Sequence, residues 1–183
     1  TRMLSGPMDY TPGVFQLNNF RYDSPETKNI DKGAIVPSTI GKELALYVVY
    51  YSPMQMAADL PKHYSKHMDA FAFIKNVPVD WSERKILNSE FREYVSMARK
   101  DKYSENWYVG GITNENERDL KIDFSFLESG KEYTMKMYLD TQNTHWKENP
   151  MEYQITEREV SSNDNIDIYL APGGGFAIEI IAK

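Results

Sequence analysis

The first part of the chain carries its apolar residues at helical spacing. From Ser38 the sequence reads STIGKELALYVVYYSP, and its apolar positions recur every three or four residues, at Ile40, Leu44, Val48 and Tyr51. A helix is predicted to begin at Ser38 or Thr39, because either hydroxyl can accept a hydrogen bond from the first turn. Apolar residues also occupy the other faces of this helix, which predicts that it is buried among other elements.

Two shorter helices are predicted beyond Pro53. The stretch MQMAADLP predicts a short helix that ends before Pro61, since proline interrupts the pattern. A further helix is predicted from about His63 to Lys75, where apolar residues recur every third position.

The second part of the chain alternates apolar and polar residues, which is typical of strands with one buried face. Seven such runs follow one another: EYVSMARK, NWYVGGIT, DLKIDFSF, EYTMKMYL, YQITEREV, NIDIYLA and FAIEIIA. Turn residues separate several of them, so we expect seven or eight antiparallel strands in a sandwich or Greek-key domain. The helical spacing stops near NVPVDW, which predicts one unit over residues 1–76 and a second over residues 77–183.

Composition narrows the classes of function. The 183 residues include 27 acidic and 21 basic side chains and have a formal net charge of −6, which argues against a nucleic-acid partner. The longest apolar run, at residues 44–51, is too short to span a membrane. The chain has no cysteine, which excludes disulfides, thiolate catalysis and cysteine-ligated zinc.

Several stretches, spread in order over nearly the whole chain, resemble glycoside hydrolase family 97: TRMLSGPMDYTPG, LALYVVYYSPMQMAADLP, FAFIKNVPVDW, WYVGGITNENER and LAPGGGFAIEI. The resemblance implies an α+β fragment. Residues 1–76 would be the last strand and closing helices of a (β/α)8 catalytic barrel, and residues 77–183 a small antiparallel β-sandwich domain. Residues Thr1 to Leu4 would lie in that last strand, so we expect the chain to be the C-terminal piece of a larger enzyme.

The resemblance also implies an activity. Members of the family are exo-acting hydrolases of α-linked glucosides or galactosides, so the expected partner is an α-glycoside or oligosaccharide substrate. The family's catalytic carboxylates and its calcium-binding glutamates lie upstream of this chain. We therefore assign no catalytic residue and no metal ligand here, expect calcium only in the parent enzyme, and expect this chain alone to be inactive. The family also implies a periplasmic or secreted location.

The loop GPMDYTPG provides the candidate substrate-binding residues. If the barrel interpretation is correct, the catalytic face of the barrel carries this loop. Asp9 could then accept hydrogen bonds from sugar hydroxyls, and Tyr10 or Met8 could pack on a sugar ring. The alternative is structural, with Asp9 capping the turn and Tyr10 filling the barrel mouth. Asp59 is a weaker candidate, because a carboxylate at a helix end more often binds nearby backbone.

Other patterns favour structural interpretations. His63 and His67 could share a helix face with Asp59 or Asp69, but no third metal ligand has convincing spacing. The stretch PGGGF lies between two strands and is expected to form a β turn rather than a phosphate loop. The stretch WYVGGIT is interpreted as a strand with a glycine bulge.

The alternative function is a non-catalytic β-sandwich module that binds carbohydrate or only supports structure. Its signature would be an exposed aromatic platform built from Trp81, Trp107 and Trp146, of which only Trp146 lies in a polar stretch. A strongly apolar helix around Leu44 argues against the helices being a mere linker. We also expect residues 78–183 to fold by themselves.

Overall fold

Among the residues that the structure describes, the helices precede the strands. The computed structural model describes residues 6–7, 9–18 and 35–183. The helices among these residues are α1 (Ile40–Val49), α2 (Pro61–Tyr64) and α3 (Met68–Asn76). The strands are β1 (Trp81–Glu90), β2 (Tyr94–Asp101), β3 (Trp107–Thr113), β4 (Arg118–Asp123), β5 (Tyr133–Leu139), β6 (Gln154–Val160), β7 (Asn165–Leu170) and β8 (Gly175–Ala182).

Within the described residues the strands form two antiparallel sheets. A six-stranded sheet has the order β1-β2-β3-β8-β5-β6, and β4 pairs with β7 in a second sheet. The seven strands predicted from alternation are all present, which confirms the antiparallel β-sandwich character of the second part of the chain. Strand β1 was not predicted; its central residues are exposed on both faces, so it carries no alternation.

The six-stranded sheet is covered on both faces, so the described chain has three layers. Side chains on one face pack against the helices: Val95, Met97, Tyr108, Tyr138 and Ala177. Alternate side chains pack instead against β4 and β7: Ala98, Trp107, Val109, Met135, Phe176 and Ile178. Burial on both faces explains why β3 and β8 are apolar almost without interruption.

Helix α1 forms as the sequence predicts. Thr39 is its N-cap, and the Thr39 hydroxyl accepts a hydrogen bond from the Lys42 N–H at 3.1 Å. Nearly every residue of the helix is buried, because it lies between the anchoring loops and the sheet.

The two glycines of WYVGGIT do not form the expected bulge. Strand β3 pairs with β2 and with β8 in continuous register through Gly110 and Gly111. A Cβ at Gly110 would lie 2.8 Å from the Ala45 carbonyl oxygen of α1, and one at Gly111 would overlap the Phe176 ring. The glycines are there because helix and ring approach the strand closely.

The predicted helix in MQMAADLP is absent, and the helix expected from His63 to Lys75 is divided into α2 and α3. Tertiary hydrogen bonds occupy the backbone of residues 54–60 instead. The Ala58 N–H donates to the Pro12 carbonyl, the Asp59 N–H donates to Tyr64 Oη, and the Met56 carbonyl accepts from Tyr47 Oη. A helix would need these same groups for its own ladder.

The last-strand interpretation of Thr1 to Leu4 falls outside the described residues. Within residues 6–7, 9–18 and 35–183, no helix is long and apolar enough to cross a bilayer. The PGGGF stretch makes the expected turn, in which Gly173 has a φ of +67°.

Candidate functional site

Asp9 and Tyr10 of the candidate loop differ in solvent exposure. Asp9 is exposed, whereas Tyr10 is half-buried and packs edge-on against Tyr50, with ring centroids 5.1 Å apart at an interplanar angle of 88°. Burial, together with the nearby carboxyl of Glu43, raises the pKa of the Tyr10 phenol, so it stays protonated at neutral pH. Met8 lies outside the described residues.

A buried glutamate holds the backbone that follows this loop. Glu43 projects from α1 and is 5% exposed. Its Oε2 accepts hydrogen bonds from two consecutive N–H groups, those of Gly13 at 2.9 Å and Val14 at 3.0 Å. Burial raises the pKa of Glu43, although these hydrogen bonds oppose the rise. Glu43 therefore ties the loop to the helix.

Asp59 binds the next two N–H groups in the same way. Its Oδ2 accepts hydrogen bonds from Phe15 at 2.8 Å and Gln16 at 2.7 Å, and its Oδ1 accepts from Leu60 and pairs with His63. Burial alone would raise the pKa of Asp59, but the hydrogen bonds from His63 and the backbone outweigh it and lower that pKa. Asp59 is thus a backbone-binding carboxylate, and its side chain is 1% exposed.

Two buried tyrosines complete the attachment. Tyr47 Oη lies 3.2 Å from the Pro12 carbonyl and 2.9 Å from that of Met56, and can donate to either. Tyr64 Oη donates to the Gly13 carbonyl at 2.7 Å, and burial raises the pKa of Tyr64 to about 12. Side chains from three separate regions thereby fix residues 12–16, which we call the anchored segment.

The anchored segment gives Asp9 and Tyr10 a rigid base, which is what a binding loop needs to hold polar groups in a fixed geometry. Sequence analysis did not identify Glu43 as part of this arrangement. The available signal was a carboxyl group in the first turn of a helix that is apolar on almost all sides, because a buried carboxyl group requires hydrogen-bond partners.

The two histidines have different partners. His63 pairs with Asp59, whereas His67 Nδ1 lies 3.2 Å from Tyr153 Oη, which in turn donates to Asp69 at 2.7 Å. Across the described ranges no cluster of three metal-ligating side chains exists. The His67 contacts join helix α3 to the segment before β6.

The three tryptophans do not form a platform. Trp107 is buried in the core between the sheets, and Trp81 packs edge-on against Tyr108. Trp146 is half-buried and covers Gly173 at the glycine-rich turn. The tryptophans therefore pack the structure, and the platform expected of a carbohydrate-binding module is not built from them.

Comparison with known proteins identifies the family. The model of the family described as "Glycosyl-hydrolase 97 C-terminal, oligomerisation" matches residues 80–181, more than half of the chain. A retaining alpha-galactosidase from Bacteroides thetaiotaomicron is 35% identical over 98% of this chain and 26% of its own length. A probable retaining alpha-galactosidase from Streptomyces bingchenggensis is 26% identical over 97% of this chain and 24% of its own.

Solved structures agree in fold over the whole chain. A family 97 enzyme from a Pseudoalteromonas species, solved in complex with panose and with acarbose, superposes with a TM-score of 0.89 at 41% identity and covers 100% of this chain. A beta-arabinopyranosidase superposes with a TM-score of 0.73 at 22% identity, a likeness of fold alone. This chain spans about a quarter of the length of these relatives. The chain belongs to glycoside hydrolase family 97, and residues 80–181 are the C-terminal domain of that family.

Proposed function

We propose that this chain acts as the C-terminal part of a glycoside hydrolase that releases α-linked galactose or glucose. The observation that carries the proposal is the family match over residues 80–181, extended to the rest of the chain by the galactosidase relative. The family's two catalytic carboxyl groups would lie upstream of this chain, so a longer polypeptide would supply the pair that glycoside hydrolysis needs.

Residues 1–76 would close the catalytic barrel, and the β domain would support it. The superposition with the Pseudoalteromonas enzyme covers these residues too, which supports the proposal. The exposed apolar side chains Met54, Met56 and Leu60 belong to residues 54–60, whose backbone and Asp59 bind the anchored segment, and the neighbouring parts of a barrel would cover them.

Asp9 and Tyr10 would contact the sugar. The exposed Asp9 carboxylate can accept hydrogen bonds from hydroxyl groups, and Tyr10 can present an aromatic face and a neutral phenol. The anchored segment supports this role, because Glu43 and Asp59 fix the backbone that directly follows Asp9 and Tyr10.

Calcium, export and assembly belong to the same proposal. The parent enzyme would bind calcium through residues outside this chain and would act in the periplasm or after secretion. The family description supports a role for residues 80–181 in oligomerisation.

Hydrolysis assays test the proposal. A longer polypeptide with this chain at its C-terminus should cleave aryl α-galactoside or aryl α-glucoside with calcium present, and the 183-residue chain should not. Turnover by the chain alone would contradict the proposal, because the catalytic carboxylates would then lie within it.

A matched pair of variants tests Asp9. In the longer polypeptide Asp9→Asn should lower kcat/KM by roughly tenfold or more, because a charged acceptor is lost, while Tm is unchanged. Asp167→Asn, an exposed carboxylate on β7, should leave both unchanged. Equal effects of the two substitutions would remove Asp9 from the binding site.

A further inference from the structure

A pocket of about 570 Å³ lies beside the candidate loop. Its floor is apolar and comes from Tyr50, Tyr94, Val95 and Ile112. Tyr50 is also the ring against which Tyr10 packs at 5.1 Å, so the same aromatic side chain contacts the pocket and the loop. The volume lies within the range of small-molecule sites.

The turn between β1 and β2 forms one wall of the pocket and holds an aromatic ring in solvent. Phe91 is 70% exposed, and Arg92 follows it with a φ of +68°, an unfavourable conformation for a residue other than glycine. The Arg92 guanidinium lies 5.4 Å from the centre of the Phe91 ring. The turn therefore holds Phe91 in solvent, where its ring is available to a ligand.

Hydrogen bonds fix the neighbouring part of the lining, at Glu93, Thr113 and Asn114. Arg118 donates to Thr113 Oγ1 at 2.7 Å, to Asn114 Oδ1 at 2.9 Å and to Glu93 at 3.1 Å, and its guanidinium lies 4.5 Å from the centre of the Tyr94 ring. The Asn114 backbone is held on both sides, by the Glu93 carbonyl and by the Gly173 N–H, each at 2.7 Å.

Hydrogen-bonding groups remain unused around this apolar floor. Within the described part of the chain, neither the Glu90 carboxylate, the Arg92 guanidinium nor the Asn114 side-chain N–H₂ makes a hydrogen bond or an ion pair. Glu90 balances Arg92, and Glu93 is paired with Arg118, so the rim is close to neutral. An apolar floor with neutral rim, donors and acceptors fits an uncharged polyhydroxylated ring better than an anion, a cation or a lipid.

We propose that this pocket, with Phe91 as its stacking ring and Glu90, Arg92 and Asn114 as hydroxyl partners, binds a second sugar unit of an oligosaccharide whose other end lies at Asp9 and Tyr10. The proposal rests on the proposed function for the choice of ligand. It adds that substrates longer than a monosaccharide glycoside gain affinity from the β domain.

A titration of the isotope-labelled 183-residue chain with panose tests the site. Panose should shift the amide signals of residues 89–95 and 112–114. Phe91→Ala should weaken binding by roughly three- to tenfold, the effect expected for loss of one aromatic contact. Tyr103→Ala is the matched control, because Tyr103 is 80% exposed and follows the C-terminal end of strand β2, whereas Phe91 precedes its N-terminal end.

Three results would overturn the proposal. The first is the absence of shifts in these residues at the highest panose concentration reached. The second is an equal loss of affinity in the Phe91 and Tyr103 variants. The third is a shift of the same signals with protein concentration and without sugar, which would assign the pocket to a second copy of the chain. Because the titration needs no catalysis, its failure leaves the hydrolase proposal standing, and a longer polypeptide without hydrolytic activity would leave a positive titration standing.

Discussion

Buried carboxylates are the residues that fix this structure locally. Glu43 and Asp59 each accept two consecutive backbone N–H groups of the anchored segment, and Asp140 accepts those of Ala171 and Gly175 at the glycine-rich turn. The bonds satisfy backbone donors that lie outside helices and strands. Their partners are 29 to 44 residues away along the chain, so no local pattern in the sequence could have indicated them.

Removal of the Glu43 carboxyl group should loosen the anchored segment. Glu43→Ala should lower the free energy of unfolding by roughly 2–4 kcal/mol, because two backbone N–H groups in a buried site lose their acceptor. It should also speed amide exchange at Gly13 and Val14. Glu43→Gln keeps one oxygen acceptor and should cost less, while Glu83→Ala on the exposed strand β1 should cost almost nothing. Unchanged exchange at Gly13 in Glu43→Ala would contradict the assignment.

Asp140 makes stability depend on pH. It is 2% exposed, and burial, only partly offset by its hydrogen bonds and by Lys42, raises its pKa from 3.8 to about 7. Between pH 3.8 and about pH 7 the folded chain keeps the Asp140 proton, whereas the unfolded chain has released it. The stability that this group contributes is therefore complete below pH 3.8 and is lost as pH rises through about 7.

Asp140→Asn isolates that pH dependence, since an amide does not titrate. The difference in free energy of unfolding between the native chain and this variant should shift against the native chain as pH rises from about 4 to about 8. Denaturant unfolding at several pH values measures it. A difference that shifts in favour of the native chain instead would mean that the folded pKa is depressed.

Helix α1 is the element that joins the two parts of the molecule. Thr39 caps its start, and no basic residue lies in its last turn. Arg99 of β2 supplies a positive charge at the C-terminal end of α1 instead, because its Nε donates to the Val48 carbonyl at 2.6 Å. Gly110 of β3 lies under the middle of the helix and lets the two backbones approach.

Gly110→Ala should therefore push α1 away from the sheet. The new Cβ would meet the Ala45 carbonyl oxygen at 2.8 Å, and overpacking of this kind costs about 2–3 kcal/mol. Gly130→Ala is the control; its Cβ meets no atom within 4 Å, and only its φ of +82° is unfavourable, at about 1 kcal/mol. Amide exchange along α1 should increase in the first variant and not in the second. Equal exchange in both would mean that α1 adjusts without cost.

At the scale of the whole molecule, sequence periodicity predicted elements better than their arrangement. Alternation located seven strands, and helical spacing with a capping hydroxyl located α1. Strand β1 could not be found, because it is an exposed edge strand whose register shifts between Trp81 and Glu83 and between Ile86 and Asn88. The residues before Pro61 have a helical pattern that tertiary hydrogen bonds override.

Only part of the candidate site could be predicted from the sequence. The loop that carries Asp9 and Tyr10 could be identified from its sequence, because its residue types suit sugar binding. The residues that hold the loop, and the pocket beside Phe91, could not, since both depend on segments that meet only in the folded chain. Alternation also indicated one buried face per strand, yet Met97 and Ala98 are both fully buried on opposite faces.

The helices and the sheet share one hydrophobic core, which predicts that residues 78–183 do not fold by themselves, contrary to the expectation from the sequence. The helices and the sheet bury one cluster together, in which Leu44 and Val48 of α1 pack with Met97, Tyr108 and Tyr138 of the sheet. Residues 77–183 made alone would expose that face of the sheet, so we expect them to associate and to lose cooperative unfolding. We expect the 183-residue chain to stay monomeric under the same conditions and to unfold cooperatively. Met97→Lys should reduce association of the shortened chain, because it places a charge on the exposed face, but should destabilise the full chain by burying one. Sedimentation and thermal unfolding of the four proteins measure this. A monomeric 77–183 with amide protection at Met97 and Tyr108 equal to that of the full chain would establish the boundary near residue 77 as a true domain boundary.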